Sequence, residues 1–371
     1  MVELASRRRW VVKIGSSLLT DHGAGLQQQR LIDWCAQLHQ LREQQIQVVL
    51  VSSGAVAVGT HRLGWRKPTS TLAKQVAAAV GQTGLIHAYE SAFAQWQILC
   101  AQVLLTHADL ADRNRYLNAR STMRELLAHG LLPIVNENDT LAVDEIRFGD
   151  NDRLAALVAN LIDAERLVIL TDQHALFDAD PRTNPNAKPI IQACVEENWL
   201  RTVAGGANSS GVGSGGMYTK ILAAELAAQS GADTVIVWGL EDQVLVRLAQ
   251  NQALGTRLVP GNKSLSARKQ WLFGQLRTKG QLQLDAGAVR ILRDTGSSLL
   301  AVGVVAVQGT FQRGDAVMCI DSTGQRIAIG LINYSSADMR RICGQASQRI
   351  EAILGFISEP EIIHRDNLVI G

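Results

Sequence analysis

The chain has 371 residues, is 47% hydrophobic and carries a formal net charge of +2, which together exclude a disordered or fibrous protein and leave room for two or three domains with their own cores. Near-neutral charge gives no bias toward nucleic acid or membrane surfaces, so the partner has to be read from local sites. The five cysteines, Cys35, Cys100, Cys194, Cys319 and Cys343, show no CxxC pair or zinc spacing; with no apolar stretch near the ~18 residues of a membrane span and no signal peptide, the expectation is a cytoplasmic protein with free thiols.

In chain order, short β-branched runs fall at 10–14, 48–51, 98–105, 132–135, 167–170 and 234–238. Between them lie alanine- and leucine-rich segments with helical spacing, such as "TLAKQVAAAVGQTGLIHAYESAFAQW" and "NDRLAALVANLIDA". Continuous apolar strands alternating with helices predict an α/β domain over 1–255 whose mostly parallel sheet is covered on both faces. The basic segment 256–278 reads as a junction. Over 279–371, "GQLQLDAGAVRIL", "LLAVGVVAVQGTFQRGDAVMCI" and "QRIAIGLINY" read as short strands of a small β-rich barrel, with two short helices near the end.

Ligands of open α/β sheets bind beyond the carboxyl ends of the strands, so the residues that follow each run are the informative ones. They are polar and small: Lys13-Ile14-Gly15-Ser16-Ser17, Ser52-Ser53-Gly54, Asn136-Glu137-Asn138-Asp139, Thr171-Asp172 and Gly239. A lysine within "WVVKI" is costly to desolvate without an anion. Taken singly, a strand-end lysine more often reaches back to water; the Gly-Ser-Ser beside Lys13 favours phosphate. "GGANSSGVGSGGMYTK" (205–220) is a second candidate phosphate cradle because it leads into a helix rather than between domains. It is no P-loop, since Met217 stands where the P-loop lysine would be and Lys220 comes three residues later.

"NENDTLAVDEIRFGDND" (136–152) concentrates carboxylates and side-chain amides after a buried strand. A free amino acid offers an ammonium for carboxylates and a carboxylate for uncharged donors, and this stretch supplies both kinds of partner. Asp139, Asp144, Asp150 and Asp152 need cations if they are to stay charged at close quarters. For any one of them, a solvated loop or a helix cap is the commoner role.

"VVKIGSSLLT", "VSSGAVAVG", "VNENDT", "FGDND", "LTDQHALFDADPR" and "GSGGMYTKILAA", in this order, closely resemble the glutamate 5-kinases of the amino acid kinase family, and 279–371 resembles a PUA domain. The resemblance implies a three-layer αβα amino acid kinase fold and ATP-dependent phosphorylation of the L-glutamate side chain, the step that opens proline biosynthesis, with feedback inhibition by proline. It implies a catalytic set of Lys13, Lys220 and Asp152, the last orienting the two lysines. Ser53, Asp139 and Asn151 fall on glutamate-binding positions, with Asn136 and Asp150 as additional contacts. Lys13, Gly15, Thr171, Asp172 and the loop Ser214, Gly215, Gly216, Met217, Tyr218, Thr219 and Lys220 fall on the ATP side. Mg²⁺ would ride on nucleotide oxygens and water, with no protein metal ligands. Ala175, Phe177 and Ser214 depart from the family pattern on the nucleotide side.

An acidic pocket favours free glutamate over its N-acetylated form, which lacks the ammonium; aspartate is one methylene shorter and stays open as a rival substrate, as does uridylate. From Lys279 to Gly371 the basic and acidic residues balance at nine each, which argues against RNA binding by the PUA segment. A homo-oligomer, dimer or tetramer, and a downstream γ-glutamyl phosphate reductase complete the expected partners.

Overall fold

The computed structural model describes residues 8–20, 25–66, 68–141, 151–181, 183–205, 216–261 and 278–370. The chain divides into two compact units, Met1–Leu265 and Ser266–Gly371.

The first unit is built on eight strands: β1 (Arg9–Ile14), β2 (Gln47–Ser52), β3 (Cys100–Leu105), β4 (Leu132–Glu137), β5 (Arg166–Thr171), β6 (Gln192–Cys194), β7 (Asp233–Trp238) and β8 (Thr256–Val259). They pair in the order β3-β4-β2-β1-β5-β7-β8-β6, all parallel except β7 with β8. The apolar runs are continuous because both faces are covered. Trp10, Val12, Ile14, Leu50, Ile134 and Leu170 belong to one core, while Val11, Val49, Val51, Val135, Leu167 and Ile169 belong to the other. Successive side chains alternate between the faces, so every second residue of a single strand feeds a different core.

Two strands went unread in the sequence. β6 is three residues long, and β8 lies inside the segment taken for the junction; both are too short to show an apolar period. At the opposite end of the sheet from the strand tips, Arg166 clamps Asp233 through Nε and Nη2 at 2.8 and 3.0 Å, and Arg257 Nε joins the same carboxylate at 2.7 Å.

The helices Ala55–Arg62 and Thr71–Phe93 touch backbone to backbone. A Cβ on Gly59 would lie 1.7 Å from the Ala77 carbonyl oxygen, and one on Gly81 would lie 1.8 Å from that of Ala55. Gly59→Ala is therefore expected to cost about 3 kcal/mol, the upper end for overpacking, because the obstruction is backbone that cannot rotate away. Urea unfolding would show this as a lower midpoint; an unchanged midpoint would mean that the helices do not meet here.

The second unit carries β9 (Gly280–Leu284), β10 (Val304–Gly309), β11 (Ala316–Ile320), β12 (Arg326–Leu331) and β13 (Leu368–Ile370), in the order β10-β9-β11-β12-β13. Only β9 with β11 is parallel. The two expected short helices are Ser336–Ile342 and Ile350–Leu354. "AGAVRIL", read with the strands, is instead the start of a helix, Ala286–Thr295. Asp285 caps it by accepting from the Ala288 amide at 2.6 Å, a signal that outweighs the β-branched content of the stretch.

Candidate active site

Strand register decides where Lys13 points. Its partners across the sheet are Val51 and Ile169, both in the second core, so the lysine faces the helices that cover that side. Those helices are Asn151–Leu161 and Met217–Ala228, and each buries an alanine stripe: 155, 156 and 159 on one, 223, 224 and 227 on the other. One turn N-terminal to the stripes, at the same helical spacing, stand Asp152 and Lys220. Helix Met217–Ala228 begins four residues before "ILAA", and this puts Lys220 in its first turn rather than in the preceding loop.

The three charges meet. Lys13 Nζ lies 2.6 Å from Asp152 Oδ1 and Lys220 Nζ lies 3.0 Å from Asp152 Oδ2, all three side chains being at most 7% exposed. Thr219 Oγ1 donates to Asp152 Oδ2 at 3.1 Å. Burial pushes the Asp152 pKa up, but the two ammonium charges and their hydrogen bonds outweigh it and hold the carboxyl well below the usual carboxylate range. Burial pushes the Lys220 pKa down, only partly offset by Asp152, and the neighbouring Lys13 charge pushes the same way. Two buried ammoniums on one carboxylate leave an excess positive charge, which is what an incoming phosphate requires.

Beside this cluster the amides of Met217, Tyr218 and Thr219 have no acceptor within their helix, and Gly216 caps it without a side chain. Gly15 offers no free donor: its N–H is spent on the Leu170 carbonyl at 3.2 Å, and a Cβ there would meet only ordinary contacts, the Leu170 oxygen at 3.4 Å and Lys13 Nζ at 3.9 Å. Thr171 is buried at the tip of β5 and hydrogen-bonds Asp172 at 3.2 Å, and the Asp172 charge acts on Lys220. These groups fit a polyphosphate. Both Asp152 oxygens face ammoniums, so this carboxylate is engaged with the two lysines.

On the other flank the amides form a chain. Asn151 Nδ2 donates to Ser53 Oγ at 2.8 Å, to the Ser52 carbonyl at 3.3 Å and to Asn136 Oδ1 at 3.0 Å; Asn136 Nδ2 donates to Gln82 Oε1 at 2.7 Å. Ser53, Asn136 and Asn151 are thus drawn together. Asp139 stands apart, with no hydrogen-bond partner among the described residues. Burial, and then the Glu137 charge, push its pKa up to about 6. Among the described residues no cation stands beside this half-buried acid, and a charge there would relieve the cost of ionising it. Asp144, Asp150, Ser214 and Gly215 lie outside the described residues.

Sequence reading missed Gln82, Tyr89 and the His107–Glu137 pair. Glu137 is buried with His107 Nδ1 3.5 Å from its Oε2. Gln82 and Tyr89 sit on the inward stripe Ala78-Gln82-Leu85-Tyr89 of helix Thr71–Phe93, Tyr89 sharing a 3.0 Å hydrogen bond with Ser52. A glutamine on an otherwise apolar inward stripe is the signal that could have found it.

A parallel sheet whose strand tips gather two buried lysines, one aspartate and a helix N-terminus defines a phosphoryl-transfer domain. Residues 8–238 match the model of the amino acid kinase family and residues 280–354 that of the PUA domain; the chain belongs to the amino acid kinase family and carries a PUA domain. Curated relatives narrow the group. The glutamate 5-kinases of Bordetella petrii and Alcanivorax borkumensis are 58% and 56% identical over 368 residues, covering 99% of this chain and 97% of each relative. That of Nitrosococcus oceani is 55% identical over 369 residues, covering 99% of this chain and 98% of the relative. Within the family, the chain belongs with the glutamate 5-kinases.

Proposed function

We propose that the protein transfers the terminal phosphoryl group of ATP to the side-chain carboxylate of L-glutamate, forming γ-glutamyl phosphate at the entry to proline biosynthesis. The observation that carries this reading is the pair of buried ammoniums sharing Asp152 at the mouth of the sheet. A glutamate side chain with a pKa of about 4.3 is ionised at neutral pH, so the nucleophile needs no general base. The obstacle is charge repulsion between carboxylate and phosphate. Lys13, on β1, and Lys220, at the helix N-terminus, flank the reacting groups: one neutralises the side of the attacking carboxylate, the other the side of the leaving diphosphate. Asp152 keeps both chains from swinging away. ATP supplies the activated phosphoryl group, and Mg²⁺ would travel with the nucleotide.

Asp139 takes the substrate ammonium, its raised pKa falling once that charge arrives. Ser53, Asn136 and Asn151, with Asp150, hold the amino-acid end, while Thr171, Asp172 and the segment Ser214 to Thr219 border the nucleotide. The chemistry is assigned to 1–255, and the PUA segment 279–371 to a regulatory or structural role.

A coupled ADP-release assay across glutamate, aspartate, N-acetylglutamate and UMP tests the reading. Glutamate is expected to exceed the other three in kcat/KM by about a hundredfold, since N-acetylglutamate and UMP lack the ammonium and aspartate holds its carboxylate one methylene short of the phosphate. Turnover with another acceptor and none with glutamate would overturn it. Adding proline to the same assay tests the inhibition that the resemblance implies.

A further inference from the structure

We propose that Gln82 is a positioning residue of the amino-acid site: by pairing the buried Asn136 nitrogen it holds in place the backbone-set orientation of the Asn136 and Asn151 amides, which leaves a hydroxyl donor and an amide acceptor facing the substrate. The inference rests on the glutamate reading above.

The direction of the amide chain is set at both ends by backbone. The Glu137 N–H donates to Asn136 at 2.9 Å, so the Asn136 atom there has to be its oxygen, Oδ1. Its nitrogen then faces Gln82, and the Gln82 atom 2.7 Å away has to be an acceptor, Oε1. At the other end the Ser52 carbonyl, 3.3 Å from Asn151, accepts only from nitrogen, so Nδ2 points there and also reaches Ser53 Oγ. Because Ser53 Oγ accepts from Asn151, its own proton is free to donate to a carboxylate. Asn151 Oδ1 has no hydrogen-bond partner among the described residues and is free to accept from an ammonium.

Gln82 is the closing link, because without an acceptor there Asn136 Nδ2 is left buried and unpaired, and rotating the amide to relieve it would strand the Glu137 N–H instead. The helix that carries Gln82 is itself held in place. Gly59 and Gly81 lock it against helix Ala55–Arg62, which follows Ser53 and Gly54 directly, and Tyr89 two turns on bonds Ser52. One helix face thus supports both strand tips, β2 and β4, that form the pocket.

The test compares wild type, Gln82→Met, which keeps length but has no acceptor, and Gln82→Glu, which keeps the acceptor. Initial rates with varied glutamate and varied ATP are read together, with circular dichroism melts as a check on folding. Gln82→Met is expected to raise KM for glutamate by about tenfold or more, the effect of misplacing hydrogen-bonding groups in a site, with KM for ATP unchanged within twofold. Gln82→Glu should recover at least threefold of that loss because its carboxylate keeps the acceptor, and a purely structural glutamine would move both KM values rather than that for glutamate alone. If Met does not fold, Gln82→Ala replaces it with the same expectation. An unchanged KM for glutamate, equal increases in both KM values, or a Glu variant no better than Met overturns the proposal. Wild-type turnover on glutamate in the same run separates the failures: if it is absent, the functional reading falls and takes this inference with it, and if it is present, Gln82 alone is at fault.

Discussion

Lys220→Met is expected to lower kcat about 10²- to 10³-fold while KM for glutamate stays within about threefold, the range for removing one preorganised group aimed at developing charge. Steady-state kinetics on purified protein check it, and wild-type-like turnover would sink the role assigned to Lys220. Methionine preserves the length of the buried stem. Asp152 would still be paired with Lys13 at 2.6 Å, and the lost ammonium was one whose charged form burial already disfavours. The variant should therefore melt close to wild type. Lys13 faces the same Asp152 from the strand side, and Lys13→Met is expected to behave alike.

Asp152→Ala should behave quite differently. It strands two like charges in a site from which water is excluded, so a loss of about 3–5 kcal/mol in stability accompanies the loss of activity. The pH dependence follows from the sign of the shift. The folded-state pKa of Asp152 lies below its unfolded value, so its stabilising contribution is complete above the ordinary carboxylate range. That contribution is lost as pH falls through the folded value. Comparing acid unfolding of wild type and Asp152→Asn, the wild type should show the steeper decline.

Asp139→Asn is the second large effect, and it trades function for stability. Replacing the carboxylate removes a charge-assisted bond to the substrate ammonium, so KM for glutamate should rise about 10- to 100-fold, the equivalent of about 1.5–3 kcal/mol. In wild type, KM for glutamate should also climb as pH drops below about 6, where Asp139 takes up a proton. The stability effect has the opposite sign to that of Asp152. Between the unfolded carboxylate pKa and about 6 the folded state binds the extra proton, so Asp139 makes the protein less stable as pH rises through that window. Above it the full penalty is present, and Asp139→Asn should be the more stable protein by on the order of 2 kcal/mol, with the advantage vanishing near pH 4. Urea unfolding at pH 4.5 and 7.5 without glutamate checks this. If Asp139→Asn is no more stable at pH 7.5, the acid is not held without a counter-charge in the way described.

Much of this was legible in the chain. Alternation of apolar runs with alanine-rich segments specifies a parallel sheet covered on both faces, since only strands buried twice dispense with polar residues. The polar residues that interrupt those runs, Lys13, Ser53, Asn136 and Thr171, mark the strand tips for the same reason: a charged or amide side chain there needs a partner. β6, β8 and the helix Ala286–Thr295 escaped because a few residues carry too little period, and because one capping aspartate decides a helix that composition leaves ambiguous.

What sequence alone could not specify is which charges meet. Lys13, Asp152 and Lys220 lie far apart along the chain, and nothing local to any of them names the other two. Only the register of β1 against β2 and β5 turns Lys13 toward the helical face, and only the packing of two alanine stripes draws Asp152 and Lys220 up to it. Likewise the strand tips mark polar groups that need partners, while the acceptor for the Asn136 amide is Gln82, which comes from a helix the sequence marks merely as apolar. Hydrophobic pattern is a property of neighbours in sequence; ion pairs and hydrogen bonds act over a few ångströms, and the fold has to bring the groups that close before either can exist.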